Sequence, residues 1–432
     1  MADTTTPPPR LDGRHWLLAV AAGMASLLDA GAIISVGLGL ALWRDAFGLD
    51  VWTVGVLGSA LTLFIAVGAL TGGRLADLVG RGRMFSLSIL LYAVAALAVA
   101  FAPGTAVLVT GVVILGIAAG ADLPTSIAVL SERAPAGTQG RLVAFTHVMW
   151  TGGVVLATSL GFAVSGMGLP GIRLIFCLLA LLAVATFAFR AFYPPFRALE
   201  TEATARHTAA GVDPATALPL AALVRNRRYA AMLALTALFY LFFTLVANTF
   251  GGYKTYFMVT VGDATQTTAT AISFGTTLIG LVGTIVFTRI ADTNWRSRLF
   301  AAGVLVFCAC QLLIAVTGGV VLPAVIAALV LYNVAFPFVG EALYKVWTQE
   351  SFPVNARATA QGATMAVARF AAAGFALVTP ALIEWSPSGL FYLLAFFALV
   401  SGLIGAVIIR RFRRDGIITA PEPGATGTGV RA

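Results

Sequence analysis

The sequence predicts an all-α integral membrane protein with twelve transmembrane helices in two six-helix, pseudo-symmetric halves. Three observations predict this fold class: an extreme apolar composition, twelve apolar stretches of membrane-spanning length, and a repeat of motifs between the halves. Of the 432 residues, 59% are hydrophobic and 10% are charged, whereas a soluble domain has about 45–50% apolar and about 25% charged residues. The composition therefore argues against a soluble protein.

The twelve apolar stretches are each long enough for a helix that crosses a bilayer, which takes about 20 residues. They lie at 16–42, 52–73, 84–102, 105–130, 142–168 and 171–193, and then at 229–258, 266–289, 299–317, 320–347, 358–384 and 387–409. We number them spans 1–12. An open sheet is excluded because its backbone groups would stay unpaired in lipid, and the alternating ten-residue segments of a membrane barrel are absent.

The basic residues indicate which loops face the cytoplasm. Arginines cluster in the loops after spans 2, 4 and 8, in the central segment after span 6 and at the start of the C-terminal tail. The intervening loops are poor in basic residues, so the positive-inside rule predicts a multi-pass protein of the cell (inner) membrane with both termini in the cytoplasm. The net charge of +9 is then a topology signal, and we expect no nucleic-acid partner.

The same pattern predicts the domain organisation. We expect a cytoplasmic N-terminal tail at 1–14, a first half at 15–193, a central cytoplasmic loop at 194–228, a second half at 229–410 and a disordered cytoplasmic tail at 411–432. No cleavage site follows the N-terminal residues, so span 1 is predicted to be a retained helix rather than a signal peptide.

An internal repeat supports the division into halves. GRLADLVGRGRMF at 73–85 is echoed by TRIADTNWRSRLF at 288–300, and SERAP at 131–135 is echoed by QESFP at 349–353. Both pairs are separated by about half of the chain length. Two duplicated six-helix halves with a site between them near the bilayer midplane are a known plan of secondary transporters.

The segment after span 2 resembles the loop signature of the major facilitator superfamily, G-x-L-a-D-r-x-G-R-R/K. Gly73, Asp77, Gly80, Arg81 and Arg83 fall on that pattern. The resemblance covers essentially residues 15–410. It implies the major facilitator fold and secondary active transport by alternating access.

Two further elements are similar to those of the sugar-porter and metabolite:proton symporter branches. The element after span 4 is matched by Pro124, Ser131, Glu132, Pro135 and Gly140, with Gln139 in the place of an arginine. The element E-x-F-P-x-x-x-R in the second half is complete at 350–357. Sugar porters carry a glutamine pair in span 7 and a G-P-x-P-W stretch in span 10. In this sequence the corresponding stretches read ANTFGGYK and VGEALYK. The overall pattern is most similar to inositol-type polyol and metabolite symporters, which implies proton-coupled symport of a small hydroxylated metabolite, a polyol such as inositol or a sugar.

The resemblance also implies a set of gating residues at the cytoplasmic ends of the spans. These are Gly73, Asp77, Gly80, Arg81, Arg83, Glu132, Arg141, Asp292, Arg298, Glu350 and Arg357. Asp77 would contact the start of span 11, where a helix N-terminus favours an anion. The open alternative is that these charges are solvated loop ends that only determine topology.

Charged residues inside the spans are few, and each costs about 2.5–3.5 kcal/mol on insertion scales. They include Asp29, Asp122, Lys254, Glu341, Lys345 and Arg369. The first four lie on spans 1, 4, 7 and 10, which by the resemblance line the central cavity. We therefore expect a substrate and proton site between the halves.

Asp29 and Asp122 are the candidates for proton coupling, because a buried carboxyl can bind and release a proton near neutral pH. For Asp29 the alternative is permanent pairing with an arginine or lysine. For Asp122 it is a structural partnership with Lys254 or with backbone groups near Pro124.

The candidates for substrate binding lie on spans 5, 7 and 10. They are His147, Trp150, Asn248, Thr249, Tyr253, Lys254 and Glu341. By the resemblance, His147 occupies the position of a substrate-binding glutamine, and a neutral imidazole can both donate to and accept from a hydroxyl. Gly251 and Gly252 would allow span 7 to break. Glu341 and Lys345, four residues apart, could instead form a local ion pair.

The sequence carries no Walker loop and no Cys/His cluster, so we expect neither an enzyme nor a cofactor nor a metal site. The expected partners are a small-molecule substrate, protons and the lipid bilayer, and we expect a monomer. Organic-acid:proton symport, proton-driven efflux by antiport and a non-transporting membrane sensor remain as alternatives.

Overall fold

The computed structural model describes residues 11–79, 81–133, 139–196, 198–199, 201, 220–290, 295–352 and 357–414. This part of the chain forms helices joined by short connections. The α-helices are α1 Gly13–Phe47, α2 Val51–Val79, α3 Arg81–Ala100, α4 Thr105–Arg133, α5 Gln139–Ala163, α6 Leu169–Phe192, α7 Leu220–Arg225, α8 Arg227–Thr260, α9 Gln266–Ile290, α10 Trp295–Thr317, α11 Leu322–Val339, α12 Glu341–Ser351, α13 Arg357–Trp385 and α14 Pro387–Arg414.

The twelve predicted spans are confirmed as helices. Spans 1–6 correspond to α1–α6, spans 7–9 to α8–α10, span 10 to α11 and α12 together, and spans 11 and 12 to α13 and α14. Eleven stretches of the described residues are long and apolar enough to cross a membrane. The remaining span is α5, a helix of 25 residues that packs along α1.

Local signals in the sequence explain where the long helices begin and end. The carboxylate of Asp12 caps the start of α1 by accepting hydrogen bonds from the backbone N–H groups of Arg14 and His15, at 3.0 and 3.2 Å. Gly48 ends the same helix with φ 60°, a left-handed conformation that glycine adopts without strain. Asn226 caps α8 in the same way as Asp12 caps α1, so sharp helix ends follow from single residues.

Span 10 is interrupted, although the sequence predicted one helix over 320–347. α11 ends at Val339, Gly340 has φ −107° and ψ −151°, and α12 begins at Glu341. Pro337 lies inside α11, and the break falls at Gly340, whose backbone is extended and where a Cβ atom would collide with the Phe243 ring. We expected Gly251 and Gly252 to allow a break in span 7, and that expectation is wrong, because α8 runs without interruption from Arg227 to Thr260.

The two halves meet along three pairs of helices. α1 packs against α8, α2 against α13, and α5 against α9. We call the end of the bundle where α1 begins the proximal end and the end where α1 finishes the distal end. Gly37 of α1 lies against the backbone carbonyl of Gly252 in α8, where a Cβ atom would collide. Close backbone contact of this kind needs glycine. The contact holds the two halves against each other near the distal end.

Candidate functional site

A cavity of about 290 Å³ lies between the halves. We call it the central cavity. Its walls come from α1, α2, α4 and α5 of the first half and from α8, α9, α11, α12 and α13 of the second. Because both halves contribute, a movement of one half against the other would change access to the cavity. Of the predicted substrate-binding residues, His147, Trp150, Asn248, Lys254 and Glu341 line it.

Asp29 of α1 faces the central cavity and is the most buried of its charged residues. Its residue is 1% exposed, and both carboxylate oxygens lack a hydrogen-bond partner within the described part of the chain. The nearest cation is Arg369 of α13, with Nη2 3.9 Å from Oδ2. That distance is too long for a hydrogen bond but within the range of an ion pair, so Arg369 is the cation for the pairing that the sequence left open as an alternative. The Asp29 carboxylate thus lies close to a cation of the other half but forms no hydrogen bond with it.

Glu341 and Lys345 form the local ion pair that their spacing allows. Nζ of Lys345 lies 2.7 Å from Oε1 of Glu341. Glu341 also acts electrostatically on Asp29, His147 and Arg369. These five groups therefore form one electrostatic cluster at the proximal side of the central cavity, and it holds two acids and two permanent cations.

His147 and Trp150 form an aromatic wall on α5. Their rings stack with centroids 5.9 Å apart and planes 1° apart. Asn248 of α8 faces the same space, and Thr62 of α2 donates to its side-chain oxygen at 3.5 Å. The amide N–H groups of Asn248 and the imidazole nitrogens of His147 carry no described hydrogen bond, so both residues can bind hydroxyl groups of a ligand.

Thr249 and Tyr253 were predicted to bind substrate but face away from the central cavity. The Thr249 hydroxyl donates to the carbonyl of Leu245 at 2.9 Å, and the Tyr253 hydroxyl donates to the carbonyl of Ala376 at 2.7 Å. Both residues line a second, small pocket of about 20 Å³ behind α8. Their hydroxyl groups bind backbone carbonyls within the bundle, so neither residue lines the central cavity.

Asp122 lies beside the central cavity wall but not in it, and its partner is Arg190 of α6. Nη1 of Arg190 donates to Oδ1 of Asp122 at 2.6 Å, and the same guanidinium donates to the carbonyls of Ala21 and Phe85. The side chains of Asp122 and Arg190 are 2% and 0% exposed. The sequence left a structural partnership of Asp122 with Lys254 open, but the cation that pairs with this carboxylate is Arg190. The cluster ties α1, α3, α4 and α6 together inside the first half.

Arg190 was not singled out from the sequence, because it lies near the end of span 6, next to the basic central segment. Its neighbours, in the stretch FAFRAFY, are apolar and aromatic, which indicates a buried position rather than a loop. The guanidinium lies 4.0 Å from the centre of the Phe85 ring, a cation–π contact that offsets part of its burial.

The distal end carries a second polar contact between the halves that the sequence did not predict. Nη2 of Arg44, at the end of α1, lies 2.6 Å from Oε1 of Glu384, at the end of α13. Nη1 of the same arginine donates to the Tyr256 hydroxyl of α8 at 2.7 Å, and the side-chain amide of Gln266 donates to the carbonyl of Leu38 at 3.0 Å. Arg44 and Glu384, two opposite charges at the distal ends of spans 1 and 11, were the available signal.

Most of the predicted gating residues fall outside what the structure describes. Gly80 and Asp292 lie outside the described residues, and the side chains of Gly73, Asp77, Arg81, Glu132, Arg141 and Arg357 do as well. Arg83 is exposed, and the Arg298 guanidinium lies 5.3 Å from the centre of the Trp295 ring. Glu350 accepts two hydrogen bonds from Arg296, at 2.9 and 3.1 Å. This pair joins α10 to α12 within the second half, and the gating role of the whole set stays a prediction.

A model of the Major Facilitator Superfamily matches residues 18–377. The chain belongs to this superfamily. The Minor myo-inositol transporter IolF of Bacillus subtilis (strain 168) is 30% identical over 371 residues, which are 84% of this chain and 83% of the relative. The 3-(3-hydroxy-phenyl)propionate transporter of Escherichia coli (strain K12) is 32% identical over 160 residues, 37% of this chain and 40% of that relative.

The fold of this superfamily member is also that of solved transporters. A D-xylose-proton symporter aligns with a TM-score of 0.74 at 16% identity, over 90% of this chain and 96% of that chain. An identity this low shows the fold alone. The major facilitator fold and the family resemblance expected from the loop signature are therefore confirmed.

Proposed function

We propose that the protein is a secondary active transporter that carries a small hydroxylated metabolite, a polyol such as inositol or a sugar, together with protons. The observation that carries this proposal is the central cavity, which both halves line and which contains a buried carboxylate beside hydrogen-bonding side chains. The similarity to a protein named as a myo-inositol transporter supports the polyol class. We place the transporter in the inner membrane as a monomer with both termini in the cytoplasm.

Asp29 is the proposed site of the coupled proton. Its carboxylate belongs to α1 of the first half, and the facing guanidinium of Arg369 belongs to α13 of the second half. Protonation of Asp29 would remove an attraction between the halves inside a space of low dielectric constant, where such an attraction is strong. Proton binding and the relative position of the halves are then linked.

The substrate is proposed to bind against the aromatic wall of α5. Hydroxyl groups would bond to the imidazole of His147 and the amide of Asn248, while Trp150 provides an apolar face. A ligand held between α5 and α8 touches both halves, so its binding energy differs between their arrangements. A differential affinity of this kind is what alternating access requires.

The contacts at the distal end define the proposed transport state. Arg44, Glu384, Tyr256 and Gln266 hold the halves together there, while the lining residues of α12 and α13 extend the central cavity toward the proximal end. With the termini in the cytoplasm, this arrangement is inward-facing. The gating residues around Asp77 and Glu132 would close the proximal end in the opposite state.

Transport by purified protein in proteoliposomes tests the proposed function. An imposed inward proton gradient should drive accumulation of a labelled polyol, sugar or hydroxy acid from a panel, and a protonophore should abolish that accumulation. Net proton-driven extrusion of every transported compound would instead identify an efflux antiporter. Binding without any flux would identify a sensor.

The Asp29→Asn variant tests the coupling role. We expect it to lose accumulation against a gradient and to retain exchange of labelled for unlabelled substrate, because a neutral amide cannot carry the proton. Asp263→Asn is a matched control: Asp263 is an exposed acid in a loop with φ 49°, a conformation that asparagine tolerates. Undiminished accumulation in Asp29→Asn would contradict the role of Asp29.

A further inference from the structure

The charges of the central cavity do not balance. Five charged side chains line it, from Asp29, Lys254, Glu341, Lys345 and Arg369. Glu341 and Lys345 form an ion pair at 2.7 Å, and Asp29 faces Arg369 at 3.9 Å. These four charges cancel in sum. The formal charge of +1 that remains belongs to the fifth residue, Lys254.

Lys254 stands apart from the other cavity charges. Within the described part of the chain its ammonium group has neither an ion pair nor a hydrogen bond. Glu341, in contrast, is paired with Lys345 and acts electrostatically on Asp29, His147 and Arg369. The cavity therefore holds one compensated cluster and one separate cation.

On the side that faces away from the central cavity, the surroundings of Lys254 are apolar. The small pocket behind α8 is walled by aromatic and aliphatic side chains, which are Phe250, Phe257, Met258, Ile314, Val325, Leu329, Ile383, Leu390 and Phe391. Its two polar neighbours there, Thr249 and Tyr253, use their hydroxyls in other hydrogen bonds. An ammonium group in such a place is costly without a counter-charge, and the direction from which an anion can reach it is the central cavity.

We propose that the transported metabolite carries a carboxylate, and that Lys254 binds this carboxylate while His147 and Asn248 bind its hydroxyl groups. The substrate class is then a hydroxylated monocarboxylate, such as a sugar acid or a polyol acid. This inference rests on the proposed function for the transport of the ligand but not for its binding. One uncompensated cation matches one negative charge, so a phosphate ester with nearly two negative charges fits less well.

Paired ligands that differ by the carboxylate test the proposal with purified protein at equilibrium. The pairs are quinate and myo-inositol, glucuronate and glucose, and gluconate and glucitol, with glucose 6-phosphate as the dianion. Binding is followed by calorimetry or by quenching of tryptophan fluorescence. In the pair that binds best, we expect the acid to bind at least 10-fold more tightly than its neutral partner, and glucose 6-phosphate to bind more weakly than glucuronate.

The variant Lys254→Met should remove the preference. We expect the affinity for the acid to fall at least 10-fold while the affinity for the neutral partner stays within about twofold, since the lost interaction is electrostatic. Lys254→Arg should keep the preference because it keeps the charge. The neutral ligand also reports whether each variant is folded.

A matched control removes one positive charge outside the central cavity. Arg173→Met changes an exposed arginine of α6 that does not line the cavity, so this variant should keep the preference for the acid over the neutral partner. If Arg173→Met loses the preference as Lys254→Met does, the loss is not specific to the cation of the cavity and the role of Lys254 is overturned.

The proposal is overturned if the neutral member of every pair binds at least as tightly as the acid, if Lys254→Met weakens both members equally, or if no acid binds. Proton-driven accumulation of neutral polyols without acid binding would overturn this inference and leave the proposed function standing. Acid binding without proton-driven accumulation would overturn the proposed function and leave this inference standing.

Discussion

At the scale of single residues, the buried charges divide into those that face the central cavity and those that hold helices together. Asp29, Lys254, Glu341, Lys345 and Arg369 face the cavity, and the sequence identified each of them, because any charge inside an apolar span is conspicuous. The spacing of Glu341 and Lys345 allowed their ion pair to be predicted, but partners on different helices could not be predicted. Arg190 and Asp122 are 68 residues apart, and such pairings depend on how helices pack rather than on local spacing.

The pair of Asp122 and Arg190 gives a prediction about stability. Arg190→Met leaves the Asp122 carboxylate buried without its cation, which costs about 3–5 kcal/mol for a pair of this kind. We expect a clear loss of resistance to unfolding by denaturing detergent. Adding Asp122→Asn should recover part of that loss, since an amide does not need a counter-charge. A coupling role for Asp122 would instead appear as lost accumulation with unchanged stability in Asp122→Asn.

At the scale of helices, the sequence predicted the number of spans but not which of them is interrupted. Two glycines in a row at 251–252 leave α8 intact, whereas the single Gly340 interrupts span 10 three residues after Pro337. An internal proline does not predict the break either, because α4 contains Pro124 and α13 contains Pro380 without interruption. The break places Glu341 in the first turn of α12, where it lines the central cavity.

The contact between α1 and α8 gives a prediction about the transport state. Gly37→Ala adds a methyl group that collides with the carbonyl of Gly252. Such a collision costs about 1–3 kcal/mol. The closed distal end should therefore be disfavoured, and the distal-open population should rise roughly fivefold or more.

A cysteine in the cavity reports that population. Ala247→Cys, in a background without the three native cysteines, should react faster with a membrane-impermeant maleimide from the distal side when Gly37→Ala is present. Gly275→Ala is the control, since nothing lies within 4 Å of a Cβ at that glycine of α9. Equal labelling of all three proteins would show that this contact does not close the distal end.

At the scale of the whole molecule, the charge carried per transport cycle distinguishes neutral from acidic substrates. A neutral polyol that moves with one proton at Asp29 carries a net charge of +1, whereas a monocarboxylate that moves with one proton carries none. A membrane potential of 100 mV acts on one charge with about 2.3 kcal/mol, which corresponds to roughly a 50-fold change in the accumulation ratio. At constant pH gradient, a potential negative inside should therefore raise accumulation of a neutral substrate up to roughly that factor and leave accumulation of the acid unchanged. The accumulation of both substrates can be measured in vesicles whose membrane potential is set by potassium and valinomycin. If the potential changes the accumulation of both substrates equally, the negative charge of the acid does not cancel the charge of the coupled proton.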